Sequence, residues 1–288
     1  MKRIIVVFLL LLLIFTAACG KDQPDRLLDG SVRFTDNNYP VVCVTPLTME
    51  MGINMTVAVL GIDRDTAASK LNVCDTTDEC YRKLIDGECD IVIAHDYGKS
   101  IETKLNTTAL TLTSTELDRD AAVFVTNGKT GVDTLSVDQL VSLYNAETTD
   151  WSALGGAELS VTLFGKKSGT AVQNAFEKYI SSDITVPAVT KTIETATGSF
   201  SAEISYDNRN GAIGYELLSL VKSNVGALRP MSINGVAPSK ETVLSGEYPL
   251  TLSVNAVMRS SEATGSEIRV LYEWLVSEQG RACTGNLY

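Results

Sequence analysis

The chain has 288 residues, 44% hydrophobic and 20% charged, with a formal charge of −11 and one histidine. An acidic chain without a basic run does not suit nucleic acid. A single histidine and cysteine spacings unlike zinc patterns exclude an evident metal site.

The first residues, MKRIIVVFLLLLLIFTAAC, form a basic end, an apolar core and a small-residue run, the pattern of a secretory signal over 1–19. The apolar run is shorter than the roughly 20 residues a membrane span needs. Thr16-Ala17-Ala18-Cys19 looks like a bacterial lipobox, with Thr16 where Leu is usual, and predicts a lipid on Cys19. Loss of Lys2 and Arg3 with the signal makes the charge two units more negative. Residues 20–38 are polar and non-periodic and read as a tether. The remainder, about 250 residues, is long enough for two lobes with a core each.

Tyr39 to Thr45 reads as a strand, and Thr45-Pro46 as the cap and first position of a helix running to Gly61. A second strand ends near Cys74. Thr76-Thr77-Asp78-Glu79 is a capping box opening a helix that closes at Gly87. Cys89 to Ala94 is almost continuously apolar, the mark of a parallel strand covered on both faces. This alternation is doubly wound α/β, in which ligands bind beyond the carboxyl ends of the strands. Thr45, Thr76, Thr77 and Asp96 lie there. Asp96 either faces a ligand or caps a helix beginning at Tyr97, and His95, with no nearby candidate partner, reads as a surface or satisfied residue or a rim contact. Five cysteines follow Cys19: Cys43, Cys74, Cys80, Cys89 and Cys283. Their odd number leaves at least one unpaired within the chain, and the connectivity stays open.

Ser136 and Gln139 form a second capping box, with Val137, Leu140, Val141 and Tyr144 on the apolar face. Asp150-Trp151 and Leu154-Gly155-Gly156 follow, then a strand from Val161 to Phe164. Ser168-Gly169-Thr170 stands where that strand turns into a helix carrying Val172, Ala175, Phe176, Tyr179 and Ile180. Such a turn offers free N–H groups and two hydroxyls to an anion, or Ser168 simply caps the helix. Lys166 and Lys167 adjoin it. Thr197-Gly198-Ser199-Phe200 reads as another loop opening a helix, with Gly198 allowing close backbone approach and Ser199 able to donate. Asn210 to Tyr215 contains a short strand, Val225 to Ile233 a strand crossing back, and Ile268 to Val276 a terminal amphipathic helix.

The order Tyr144, Asp150-Trp151, Gly155-Gly156, Ser168-Gly169-Thr170, Asn210 to Tyr215 and Ser245 to Leu250 resembles the substrate-binding proteins of phosphate ABC importers. The resemblance covers most of the chain. It implies a two-lobed type 2 periplasmic-binding-protein fold, each lobe a mainly parallel sheet flanked by helices. Leu117 to Thr126 resembles the family's crossing strand, which places residues 39–120 and 229–288 in lobe 1 and 121–228 in lobe 2. It further implies a monomeric lipoprotein on the extracytoplasmic face of the cell membrane that captures inorganic phosphate and delivers it to an ABC permease. No cofactor and no catalysis are expected; Ser-x-x-Lys is absent and no His–carboxylate pair lines up. The implied phosphate ligands are Thr45, Thr76, Thr77, Asp96, Lys166, Lys167, Ser168, Gly169, Thr170, Gly198 and Ser199. Asp96 would accept the proton of hydrogen phosphate, which sulfate lacks. The family's buried Arg, four residues before the turn's serine, is replaced by Phe164. The first-lobe turn is shortened to Cys43-Val44-Thr45-Pro46, and Asp75, Asp78 and Glu79 flank Thr76 and Thr77. Another oxyanion, or a surface sensor or adhesin reusing the fold, is the alternative.

Overall fold

The computed structural model describes residues 25–26, 32–180, 189, 191–193, 210–223 and 228–287. A short hairpin of β1 (Asp25–Arg26) and β2 (Val32–Arg33) precedes the first lobe. That lobe runs β3 (Val42–Val44), α1 (Met49–Leu60), α2 (Arg64–Ser69), β4 (Asn72–Val73), α3 (Thr77–Asp86), β5 (Ile91–His95), α4 (Lys99–Thr108). The crossing strand β6 spans Leu112–Thr126.

The second lobe holds β7 (Thr134–Leu135), α5 (Val137–Tyr144), a 3-10 turn at Trp151–Leu154, β8 (Thr162–Lys166) and α6 (Ala171–Tyr179). It continues with β9 (Lys191–Ile193), β10 (Ala212–Leu217), α7 (Leu218–Ser223), β11 (Arg229–Pro230), β12 (Ser232–Ile233) and α8 (Lys240–Leu244). The chain ends with β13 (Thr251–Arg259), α9 (Glu267–Leu275) and α10 (Glu278–Thr284).

One curled mixed sheet unites both lobes in the order β4-β3-β5-β13-β6-β10-β8-β9, with β11 also on β6. The flanking sets are parallel, β3 with β4 and β5, and β8 with β9 and β10. The centre is antiparallel, because β6 and β13 run in opposite directions between the lobes. β6 explains the crossing by its own burial: its first half is largely half-exposed, and from Asp120 onward every residue is buried.

The return crossing differs from the expectation. Leu228, Met231, Ile233, Val243, Tyr248 and Leu250 all pack in the second lobe's core, so the chain returns through β13 and not through Val225 to Ile233. Residues 224–227 lie outside the described residues. The polar segment read as a tether also ends early. Val32 and Phe34 are buried beside α1, and Phe34 N–H donates to Val59 O at 2.9 Å.

Aromatic packing fills the second core: Phe176 stacks on Tyr215 with centroids 4.6 Å apart, and Phe124 and Tyr144 close around them. The Ser136–Gln139 box forms with both arms present. The Thr45-Pro46 helix start does not. Thr45 N–H donates to Thr48 Oγ1 at 3.1 Å, that hydroxyl donates to Ile93 O at 2.6 Å, and α1 begins at Met49. Local turn bonding of Thr48 has displaced the helix start by most of a turn.

In the first lobe one face of the sheet packs against α1 and α9, while the other carries Cys43, Cys74, Cys80 and Cys89, all buried free thiols. The thiols of Cys74, Cys80 and Cys89 converge on Cys43. Hydrogen bonding to Cys43, together with burial, pushes Cys74 up to about 12 against the opposing hydrogen bond to Cys80. No group of three or more such side chains among the described residues is arranged to hold a metal ion. Cys283 is exposed. In the reduced, folded domain, a thiol reagent should therefore titrate Cys283 quickly and the other four only on unfolding. Rapid labelling of two or more native thiols would contradict this packing.

Candidate functional site

α3 owes its start to Thr76, whose Oγ1 accepts from Glu79 N–H at 3.2 Å. The returning arm of the box is diverted, since Glu79 Oε2 accepts from Asp75 N–H at 2.9 Å instead. On the second lobe, β8 leads into the turn Ser168-Gly169-Thr170, and α6 begins at Ala171 with Thr170 as its N-cap residue. Gly169 is required there twice over. Its φ of +79° is left-handed, and a Cβ would lie 3.1 Å from Asp78 Cβ and 3.4 Å from Thr76 Oγ1. The turn thus presses against the first turn of α3. Asp78 N–H donates to Gly169 O at 3.1 Å, and Lys167 pairs with Asp75 across the same gap.

Two cavities adjoin this contact. One, of about 310 Å³, is lined by Asp75, Thr76, Asp78, Arg82, Ser168 and Gly169, among others. The larger, of about 480 Å³, involves Asp96, Gly98, Lys99, Asn174, Glu177 and Lys178. Asp78 and Ser100 line the smaller cavity, and Gly98 and Asn174, which both donate to the Asp78 carboxylate, line the larger.

The expected ligands fall into distinct places. Thr76, Ser168 and Gly169 meet at the inter-lobe contact, and Ser168 is exposed there, not capping α6. Thr170 Oγ1 donates to Lys167 O at 2.8 Å. Thr77 is buried at the start of α3. Thr45 is engaged within its own turn, its Oγ1 3.2 Å from Thr48 Oγ1. Gly198 and Ser199 lie outside the described residues, as does Cys19.

Asp96 is not a helix cap, because α4 begins at Lys99 behind the N-cap Gly98. Its carboxylate accepts from Asn255 Nδ2 at 2.9 Å and Ser253 N–H at 3.3 Å, with Lys178 Nζ at 3.9 Å. β13 therefore anchors it at the cavity's edge.

Lys166, one of the implied phosphate ligands, instead has its Nζ 2.6 Å from Glu216 Oε2, with both side chains at least 95% buried. Burial raises Glu216 above the ordinary carboxylate range, against the pull of Lys166. Phe164, where the Arg is expected, is buried and accepts from Tyr144 Oη through its carbonyl at 3.1 Å.

His95 is not on the surface. It is fully buried with its Nε2 3.6 Å from Asp120 Oδ2, and neither ring nitrogen has a hydrogen-bond partner among the described residues. The contact is electrostatic at that length. Asp120 also accepts from Ala121 N–H at 2.8 Å and Ser219 Oγ at 2.6 Å. Burial would raise this carboxyl, but the nearby imidazole, Ser219 and Ala121 outweigh it and hold it below the usual range. The pair joins β5 to β6 across the intervening β13, which no local spacing reveals.

The sequence reading missed Asp78, Gly98, Ser100 and Asn174 as contributors. In the sequence Asp78 stands only as one of three acidic residues flanking Thr76 and Thr77. An acid in the first turn of a helix was the available signal.

A family model described as the PBP superfamily domain matches residues 75–279, which spans both sides of this cleft. The chain belongs to the PBP superfamily. The phosphate-binding protein PstS of Bacillus subtilis is 32% identical over 140 residues, 48% of this chain and 44% of that one. PstS of Borreliella burgdorferi is 20% identical over 174 residues and 60% of its length. The chain thus spans about half the length of the curated relatives it matches. Among solved structures, an ABC-type phosphate transport receptor from Vibrio cholerae superposes with a TM-score of 0.63 at 16% identity, covering 84% of this chain and 96% of that one. As a member of the PBP superfamily the chain has the expected two-lobed mixed α/β fold.

Proposed function

We propose that this protein captures inorganic phosphate between its lobes and delivers it to an ABC importer, as a monomeric lipoprotein held through Cys19 on the extracytoplasmic face of the membrane. The first lobe then takes in the chain to about residue 120 and again from about residue 253, with the second lobe between them. One observation carries the reading: the Ser168-Gly169-Thr170 turn and the first turn of α3 face each other across the lobes, with Gly169 against Thr76 and Asp78. Strand-to-helix turns on opposing lobes bring free N–H groups and hydroxyls to one point, the chemistry a desolvated oxyanion requires. Relatives named for phosphate binding support the choice of anion.

Phosphate titration of the soluble domain, followed by heat and by melting temperature, tests it. The double variant Ser168→Ala, Thr170→Ala should bind phosphate at least about tenfold more weakly, since a hydrogen bond to a charged oxygen is worth about 1.5–3 kcal/mol. The variant should melt within a few degrees of the parent, because Thr170 makes no side-chain cap. Unchanged phosphate affinity would move the site away from this turn.

A second reading, a different oxyanion, is favoured by one arrangement: the buried Lys166 is paired with Glu216, and carboxylates rim the smaller cavity. Sulfate and arsenate titrated beside phosphate separate the two. A preference for either anion over phosphate would select the second, and rim carboxylates make arsenate, which keeps a proton, the better candidate than sulfate.

A further inference from the structure

The Asp78 carboxylate receives hydrogen bonds from both lobes. Its Oδ1 accepts from Gly98 N–H at 2.9 Å, at the start of α4, and from Asn174 Nδ2 at 2.8 Å, on α6 of the other lobe. Its Oδ2 accepts from the Ser100 hydroxyl. A main-chain N–H at a helix start, a hydroxyl and a side-chain amide are the donors that oxyanions commonly receive. Here a carboxylate of the chain itself takes them.

Asn174 supplies an independent sign. It is 5% exposed, and its Oδ1 has no hydrogen-bond partner among the described residues. Its orientation is fixed, because Nδ2 faces two acceptors, Asp78 Oδ1 and Asp96 O. A buried acceptor left unmatched beside a cavity suits a ligand that brings a proton, as hydrogen phosphate does. It lies close to Gly98, where a Cβ would come within 2.5 Å of it.

We infer that Asp78 is a built-in occupant of the inter-lobe cleft: its carboxylate holds donors that a captured oxyanion would use, and so closes the lobes before any ligand arrives. The inference rests on reading the cleft as an oxyanion site. An incoming anion displaces the carboxylate, so part of its binding free energy goes into breaking the contact that holds the unliganded cleft shut. Removing Asp78 opens the unliganded protein and frees the donors. Removing Asn174 opens it too but deletes a donor.

The test is small-angle scattering of the unliganded soluble domain together with calorimetric titration of inorganic phosphate, on the parent, Asp78→Ala and Asn174→Ala. We expect a larger radius of gyration for both variants. Phosphate should bind at least about tenfold more tightly to Asp78→Ala, the equivalent of one charge-assisted hydrogen bond returned to the ligand. It should bind no more tightly to Asn174→Ala. Asp78→Asn, which keeps the shape but replaces one acceptor with a donor, serves if the alanine variant does not fold. A compact unliganded Asp78→Ala, or one that binds phosphate no better than the parent, overturns the role of Asp78. If phosphate binds neither parent nor variants while Asp78→Ala opens, the closing role stands and the phosphate reading fails.

Discussion

Lys166→Met should lower the unfolding free energy by about 3–5 kcal/mol, the usual cost of leaving one member of a buried ion pair without its partner. For a chain of this size that is a fall in Tm of on the order of 10 °C. The magnitude follows from burial: the Lys166 and Glu216 side chains are 1% and 5% exposed, so water cannot compensate for the lost ammonium. The pH dependence is specific. Glu216 is raised in the folded state, burial being the largest cause, so the folded protein favours its protonated form. Stability linked to this group is present at and below the ordinary carboxylate range and is lost as pH rises through the raised value. Without Lys166 that loss deepens. The deficit of the variant should be greatest at neutral pH and shrink as pH falls toward the ordinary carboxylate range. Lys166→Met combined with Glu216→Leu should recover most of the stability, because an apolar pair avoids the desolvation penalty. Chemical denaturation of the four proteins at several pH values checks this, and an equal deficit at every pH would rule out the buried-charge account.

Asp120→Ala should be comparably damaging, again by about 3–5 kcal/mol, since it strips a buried carboxylate from beside His95 and Ser219. Its pH window lies elsewhere. Asp120 is held below the usual range despite burial, so its contribution is present above the ordinary Asp value and is lost only as pH falls through the lowered one. The Asp120→Ala deficit should therefore persist through the mildly acid range where the Lys166→Met deficit is already shrinking. The same denaturation series distinguishes them. Coincident pH profiles would mean that the two carboxylates titrate as one unit, which their charge interaction permits.

Of the two pairs, His95 at the end of β5 and Asp120 in β6 join the first lobe to the crossing strand, whereas Lys166 at the end of β8 and Glu216 in β10 join neighbouring strands of the second lobe. Their neutralisation inside the sheet lets charged residues stand in a continuous apolar layer. It also engages Lys166, an implied phosphate ligand, with Glu216.

Local chemistry was legible in the amino-acid sequence. Thr76, Ser136 and Ser266 each cap a helix through a side-chain oxygen, and Gly61 and Gly87 close helices in left-handed conformations, as short-range rules dictate. The all-buried run of β5 and the strand–turn–helix at Ser168 could likewise be read, since each depends on neighbours in the chain. Ordered motifs then fixed the family and with it the fold. Three things depended on tertiary structure. Thr45 was lost to its own turn because Thr48 found Ile93 O, 45 residues away. His95 acquired Asp120, and Lys166 acquired Glu216, through strand pairings that bring together residues 25 and 50 positions apart. Asp78, in the sequence one of three acids flanking Thr76 and Thr77, becomes a bridging acceptor because α4 and α6 deliver donors to it from 20 and 96 residues away. Capping and periodicity act over three or four residues, whereas the pairing of buried charges is decided by which strands become neighbours.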